Sequence, residues 1–448
     1  MIAKNIRAHI VDVLIQLEKE ESYIQLVLKT ALEDLEPKDK AFVNEVVYGT
    51  IKYQIKLDHV INQFSKVTTK KMKPFIRQLM RMSVYQLMYL DKVPASAVIN
   101  EAVKMVQKRK MNNLSGFVNG VLRTISRNQE TINYPDAVTQ KEAYLSVMYA
   151  VPEWIVKVWR SQYTDDVVEE MLQALNERAR VCIRRNKRAG DYAGFEEILK
   201  EDGIILLEEA TVEDGYYVHI PKGVHHSSGF QTGEFSVQDE SAMLVGHVVA
   251  PKSGEKILDM CSAPGGKTTH LAELMGDEGE IIALDIHEHK ITLIEKQAER
   301  LGLESIHPKV QDGTVFVPEW EGAFDRVLLD APCSGLGIMK RKPDIRHKKQ
   351  LEDLAAINQI QKDLAACAVR YLKPGGVLVY STCTLTHLEN QQMAKHFIEV
   401  LGLENNAIEP YLPQRLKTVG QDEHFIEILP QTMHSDGFFI ARFKKKEV

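Results

Sequence analysis

Along the first 127 residues apolar positions recur every three to four residues, the spacing that gives a helix one buried stripe. Ile6, Ile10, Val13, Leu14 and Leu17 form the first such stripe. Phe42, Val43, Val46, Val47 and Ile51 predict a helix over Phe42–Ile55, and Ile76, Leu79, Met80, Val84, Leu87 and Met88 predict another over Phe75–Leu90. Pro74 falls at a helix start and Pro94 in a break, where proline is tolerated. Helical spacing returns at Pro152–Arg160 and Asp165–Asn176, inside a connector over residues 131–178. A small α/β unit follows over 179–232. It has a strand at Val181–Arg184, a helix at Tyr192–Leu199, a strand-rich stretch from Ile204 to Ile220, and a Ser/Gly-rich turn over Ser227–Gly233.

From residue 233 to 448 strands and helices alternate. The strands are Lys256–Met260, Ile281–Asp285, Asp325–Asp330 and Val377–Ser381; the helices are Thr268–Met275, Lys290–Leu301 and Leu351–Leu372. That order predicts a doubly wound, mainly parallel sheet. Phe425–Leu429 and Phe438–Phe443 read as an antiparallel hairpin. The chain therefore divides into a helical module (1–130), a connector, the small α/β unit and a larger α/β domain.

Charge follows the same division. The 448 residues carry a formal net charge of −6, which by itself argues against a nucleic-acid partner. Residues 1–130 hold 21 Lys/Arg against 13 Asp/Glu, a local +8, and residues 131–448 hold 35 against 49, or −14. A basic module is thus joined to an acidic one. Lys66, Lys70, Lys71, Lys73, Arg77 and Arg81 make one basic cluster in the helical module, and Lys104, Lys108, Arg109 and Lys110 a second. Two clusters in one module favour phosphate contacts over a merely solvated face. Arg178, Arg180, Arg184, Arg185, Lys187 and Arg188 give the small unit a basic edge as well.

Several classes drop out. No apolar run approaches the roughly 18 residues of a membrane helix, and the N-terminal segment is amphipathic rather than signal-like. The five cysteines, at 182, 261, 333, 367 and 383, are odd in number and lack a CxxC pair. Neither a disulfide framework nor a metal site is expected, and a reducing cytoplasm is the default location.

Ligands of open α/β sheets bind beyond the carboxyl ends of the strands, and the chain places unusual residues there. After the first strand come Cys261, Ser262, Ala263, Pro264, Gly265, Gly266 and Lys267, a glycine turn opening a helix N-terminus. Such a turn allows close backbone approach and presents amide hydrogens, but lacks the glycine spacing of a P-loop. Asp285 ends the next strand, 19 residues beyond Gly266, where a carboxylate accepts ribose hydroxyls. Asp312 follows Lys309-Val310-Gln311 and is placed to bond an adenine amino group. Asp330-Ala331-Pro332-Cys333 and Ser381-Thr382-Cys383 each put a cysteine just past a strand tip, 50 residues apart. One buried cysteine is ordinarily a small apolar residue, the reading kept for Cys182 and Cys367. Two at one sheet edge beside a glycine turn and an acid favour catalysis, and spacing alone does not choose between Cys333 and Cys383 as nucleophile.

DMCSAPGGKT (259–268), DAPCSG (330–335) and YSTCT (380–384) resemble the motifs of the S-adenosylmethionine-dependent RNA cytosine-5 methyltransferases of the Fmu/Sun family. The likeness runs from Gly229 to the C-terminus. It includes Gly229-Phe230, Gly233 and Val237-Gln238-Asp239-Glu240 as a lead-in, and Arg341-Lys342-Pro343-Asp344-Ile345 as a loop after the second motif. The family often has a tryptophan soon after that Pro-Asp-Ile, where this chain has Arg346-His347. Val93-Pro94, Ile99–Val103 and Phe117–Arg123 resemble a NusB-type RNA-binding bundle. The implied architecture is a Rossmann-like methyltransferase domain preceded by an all-α NusB-like bundle and a small α/β unit.

The resemblance implies methylation of cytosine C5 in small-subunit (16S) ribosomal RNA, with S-adenosylmethionine as cofactor. It implies Cys383 as the nucleophile, Cys333 as an aid to product release, and Asp330 with Lys267 at the cytosine edge. The cofactor would meet Cys261–Lys267, Asp285, Asp312 and Asp330. DNA cytosine-5 methyltransferases use their Pro-Cys cysteine with a Glu-Asn-Val tripeptide that this chain lacks, so DNA is not the expected substrate. No protein partner is evident. The same chemistry on transfer RNA or another ribosomal site, and a non-catalytic assembly factor, are the alternatives; the NusB-like module weighs against the first and the intact site residues against the second.

Overall fold

The structure is a computed structural model that describes residues 5–20, 23–221, 223–417 and 422–447. The chain forms two compact units. One runs to Asn176 and includes Arg341–Gln350; the other comprises Glu177–Lys340 and Leu351–Val448. Among the described residues no helix is long and apolar enough to cross a membrane.

The first unit is all-helical. Its helices Ile6–Glu20, Ile24–Leu32, Pro37–Lys52, Gln54–Phe64, Pro74–Tyr89, Ala95–Lys108 and Ser115–Arg127 enclose a core of Leu14, Val46, Leu57, Leu79, Val84, Val106 and Leu122. Pro74–Tyr89 lies at its centre, buried from Ile76 to Gln86 except at Arg77. Where one helix was predicted over Phe42–Ile55, two form, broken at Tyr53. There the ring stacks on Tyr89 at 4.3 Å, and the backbone leaves the helical region at φ −97°, ψ 11°. Gly49 makes the neighbouring contact possible, because a Cβ at that position would lie 1.9 Å from the Tyr85 ring.

Lys141–Tyr149, Glu153–Arg160 and Asp165–Ala174 complete this unit, and a short excursion of the chain, Arg341–Gln350, joins it. Arg346, at the place where the resembled family often has a tryptophan, is completely buried. Its guanidinium donates to Lys52 O at 3.3 Å, Tyr149 O and Ala150 O at 3.2 Å, Leu175 O at 3.2 Å and Asn176 Oδ1 at 3.0 Å. No carboxylate is among these partners. The acceptors cluster at the C-termini of three helices, whose dipoles carry partial negative charge. Burial pushes the guanidinium down to about 10, so it stays charged near neutral pH.

The second unit opens with β1 (Val181–Arg185), β2 (Ile205–Glu209), β3 (Gly215–His219) and β4 (Phe235–Val237), an antiparallel sheet in the order β2-β3-β1-β4. The helix Tyr192–Glu201 packs Phe195 and Leu199 against Ile183, Tyr216, Val218 and Phe235. The larger sheet follows: β5 (Lys256–Asp259), β6 (Glu280–Asp285), β7 (Ile306–Val310), β8 (Phe324–Asp330), β9 (Leu372–Thr382), β10 (Glu404–Asn405), β11 (Phe425–Ile428) and β12 (Phe438–Lys444). The order is β7-β6-β5-β8-β9-β12, parallel from β7 to β9. β12 runs antiparallel beside β9 and pairs with both β10 and β11, which gives the expected C-terminal hairpin. Alternate residues supply the two faces. Ile257, Ile281, Leu328 and Val379 enter one core, and Leu258, Ile282, Leu329 and Leu378 the other, as period-two strands covered on both sides require. Strand order reverses between β5 and β8, so the ligand crevice is placed beyond the carboxyl ends of those two strands.

Replacing Arg346 by alanine leaves a cavity and strips a charged donor from five carbonyl groups, at an expected cost of about 3 kcal/mol. Denaturant unfolding followed by helical circular dichroism should show an earlier transition in R346A. An unchanged midpoint would contradict the anchoring assigned to this residue.

Candidate active site

Each strand tip delivers its side chains by a local device. Beyond β5, both Ser262 N and Ser262 Oγ donate to Leu284 O at 2.8 Å, tying the glycine turn to β6. Gly265 takes φ +101°, and a Cβ there would sit 3.3 Å from Ile294 Cα. Only glycine fits comfortably at such a turn, and the helix Gly266–Leu274 starts from it. Thr268 Oγ donates to Asp259 Oδ2 at 2.7 Å within the buried turn. Burial pushes this carboxyl up to about 7 despite the Thr268 bond.

Lys267 crosses from that helix to β8, where its Nζ donates to Asp330 Oδ2 at 2.7 Å. Ser381 Oγ, from β9, donates to Asp330 Oδ1 at the same distance. The Lys267 ammonium also lies 5.0 Å from the centre of the Phe438 ring. Burial works to lower the lysine, but the Asp330 charge and hydrogen bond outweigh it, leaving the net shift upward.

The two strand-tip cysteines meet, with Cys333 Sγ and Cys383 Sγ 3.3 Å apart. The Cys333 thiol is pushed well up by its hydrogen bond to Cys383 and by burial. Either sulfur can donate in this contact. A contact between backbones holds the loops behind them. Gly337 N donates to Cys383 O at 3.0 Å and Gly437 N to Gly337 O at 3.0 Å. A Cβ on Gly337 would fall 2.1 Å from Gly437 O and 2.8 Å from Cys383 O.

Asp285 and Asp312 lie at the ends of β6 and β7, which are bridged there by Gln311 N donating to Asp285 O at 3.1 Å. Asp285 Oδ1 accepts from His287 N at 2.9 Å, with Lys290 at 3.6 Å from Oδ2. Asp312 Oδ1 accepts from Thr314 N at 2.9 Å and Thr314 Oγ at 2.7 Å, so part of its role is to shape its own turn. Burial raises the Cys261 thiol. Cys182 is packed in the core of the second unit and Cys367 against Thr314 O.

Sequence reasoning passed over Ser381 and Phe438, which hold Asp330 and Lys267 and have no polar pattern to mark them. One member of the small unit's basic edge turns inward. Arg184 is buried against Glu273 at 2.8 Å and donates to Gly266 O at 3.1 Å, so it props the glycine turn and is not open to solvent. Arg180 pairs with Glu208, Lys187 with Glu213 and Asp214, and Arg188 with Asp277.

Comparison with known proteins agrees over the whole chain. The NusB family model matches residues 4–127, the "Methyltr_RsmF/B-like, ferredoxin-like domain" model 151–225, and the "16S rRNA methyltransferase RsmB/F" model 246–444. A probable ribosomal RNA small subunit methyltransferase B of Bacillus subtilis (strain 168) is 37% identical over 448 residues, 99% of each chain. The chain belongs to the ribosomal RNA small subunit methyltransferase B family. A Vibrio cholerae member is 31% identical over 99% of this chain and 98% of its own. The crystal structure of PH0851 superposes with a TM-score of 0.81 at 25% identity, over 99% of this chain and 100% of that one. That of NSun6 from Pyrococcus horikoshii with SFG gives 0.58 at 22% identity over 66% and 99%, a likeness of fold.

The fold is thus that of an S-adenosylmethionine-dependent methyltransferase, and the residues at the switch point fit that cofactor. Amide hydrogens of the first helical turn after Gly265 suit a carboxylate. Asp285 and Asp312 suit polar groups of a nucleoside. The acidic surroundings suit a cationic sulfonium.

A carboxyl whose pKa is raised on folding contributes stability that is fully present below its unfolded value and is lost as pH rises through its folded one. For Asp259 that window runs from about 4 to about 7. In D259N the fall in melting temperature between pH 5 and pH 8 should be smaller than in the wild type; an equal fall would contradict the assignment.

Proposed function

We propose that this protein methylates C5 of a cytosine in small-subunit ribosomal RNA through a covalent bond between Cys383 and C6 of the base. The reading is carried by the 3.3 Å contact between Cys333 and Cys383 at the tips of adjacent strands, next to the Lys267–Asp330–Ser381 array. Cytosine C5 is a weak nucleophile. When the Cys383 thiolate adds to C6, the electrons of the C5–C6 double bond become available at C5. S-adenosylmethionine supplies an electrophilic methyl group when bound. The C5 proton then leaves to a base, its bonding electrons restore the C5–C6 double bond, and the C6–S bond breaks to release the Cys383 thiolate.

The chain's own groups divide this work. Asp330 meets the hydrogen-bonding edge of the cytosine, with the Lys267 ammonium beside it to offset negative charge that develops as the thiolate adds. Cys333, kept as S–H, stands at Cys383 Sγ and aids its departure. The base reaches this pocket only when unpaired or flipped out.

Docking falls to the helical module. Arg77 pairs with Glu18, Arg81 with Asp58, Lys104 with Glu101 and Arg109 with Asp12. Lys66, Lys70, Lys71, Lys73, Lys108 and Lys110 are exposed and have no ion pair among the described residues. Arg109 lies 5.1 Å from the centre of the Phe75 ring, which brings the turn at 108–110 beside Lys73. The two clusters separated in sequence thus make one lysine-rich surface suited to RNA phosphates.

The two cysteines should separate by trapping. RNA carrying 5-fluorocytosine has no C5 proton to lose and should hold the wild-type enzyme covalently in the presence of cofactor. C383A should form no adduct and lose at least about 10³-fold in turnover, whereas C333A should accumulate adduct even on ordinary RNA. Turnover retained by C383A, with the adduct lost in C333A, would reverse the assignment.

A further inference from the structure

Glu389 lies outside the catalytic set and is fully buried, yet among the described residues no cation pairs with its carboxylate. Hydrogen bonds alone satisfy it. Ser334 N donates to Oε1 at 2.7 Å and Gln361 Nε2 to the same oxygen at 3.3 Å. Ser334 Oγ donates to Oε2 at 2.6 Å, Thr386 Oγ at 2.7 Å and Thr384 Oγ at 3.4 Å. Ser334 is the residue after Cys333, and Thr384 is the residue after Cys383. One carboxylate therefore holds both cysteine loops by the same relative position.

Its neighbours extend the arrangement. Asn390, also fully buried, accepts from Thr382 Oγ at 2.6 Å and donates from Nδ2 to Thr384 O at 3.0 Å. It thus grips the residues on both sides of Cys383. Gln361, besides bonding Glu389, donates to Pro332 O at 3.0 Å, the residue before Cys333. Ser334 Oγ and Thr384 Oγ lie 2.6 Å apart, and Tyr380 OH donates to Glu389 O at 2.7 Å.

A buried charge without a counter-ion is a poor choice for stability alone, because apolar filling of the same volume is often as good or better. What a carboxylate with several acceptor sites offers is the ability to hold donors from separate loops in one fixed geometry. We propose that Glu389, with Asn390, is a positioning residue for methyl transfer: it sets the separation of the two thiols so that both act on one base. Its negative charge also faces Cys333 and adds to the forces that keep that thiol protonated. This inference rests on the reading that Cys383 attacks and Cys333 assists.

The test compares full-length wild type, E389A and the shape-conserving E389Q. Two readouts are taken: steady-state methylation of small-subunit ribosomal RNA, and closure of the Cys333–Cys383 disulfide by the thiol oxidant diamide, followed by mass spectrometry without RNA. E389A should lose about 100-fold in kcat with KM values for RNA and cofactor within about twofold. Its disulfide closure should slow about tenfold. E389Q keeps one acceptor oxygen and should recover part of both. If E389A does not fold, S334A removes one hydroxyl from the carboxylate and should slow both readouts about fivefold. A kcat and closure rate within about twofold of wild type, or kcat lost while closure is unchanged, would overturn the proposal. Absence of 5-methylcytosine with the wild type would instead overturn the reading of the reaction, and the diamide readout would still report on positioning.

Discussion

The Asp330 carboxylate accepts from Lys267 and from Ser381 at the same distance, 2.7 Å, and these two bonds tie the ends of β8 and β9 to the start of the helix after the glycine turn. β8 lies between β5 and β9 in the sheet, so its last residue receives one donor from the loop past β5 and one from β9. That is the point where strand order reverses, and parallel strands there must diverge into separate loops. These two bonds add a side-chain link between the glycine turn and the cysteine loops. A partly buried ion pair adds little net stability after desolvation. Its contribution here is geometric, since it fixes Lys267 and Asp330 as one unit next to two thiols.

The charge distribution follows from the same arrangement. The acidic excess of residues 131–448 includes Asp259, Asp285, Asp312 and Asp330 at the strand tips and Glu389 behind the cysteines. The four strand-tip acids give the switch point a negative environment, which suits a cationic cofactor better than an RNA backbone. Several basic residues of the small unit turn inward or pair locally, as with Arg184 on Glu273 and Arg180 on Glu208. In the helical module Lys66, Lys70, Lys71, Lys73, Lys108 and Lys110 stay exposed without an ion pair among the described residues.

Much of this was legible in the chain. β5, β6, β8 and β9 read as apolar runs because both faces of a parallel sheet are covered, and their ends stand out as Asp259, Asp285, Asp330 and Cys383. The glycine turn was visible because Gly265 and Gly266 serve a backbone need that other residues meet poorly. Residues whose role depends on tertiary neighbours were not visible. Arg184 reads like its exposed neighbours until β1 is placed against the helix Gly266–Leu274. Glu389 and Asn390 carry no sequence signal, since nothing local announces that both are buried. Tyr53 interrupts a continuous apolar stripe because Tyr89 stacks on it from another helix. Arg346 and its segment join the helical unit, although the sequence on either side belongs to the α/β unit.

Carbon methylation by the two thiols and the Lys267–Asp330 pair, as proposed above, needs covalent activation of the ring. The most direct test is to incubate the protein with isotopically labelled S-adenosylmethionine and small-subunit ribosomal RNA, digest the product to nucleosides and identify the labelled species. Label is expected in 5-methylcytidine. Label in N4-methylcytidine, in a ribose methyl group or in a purine would contradict it, because none of those reactions requires a thiolate at C6.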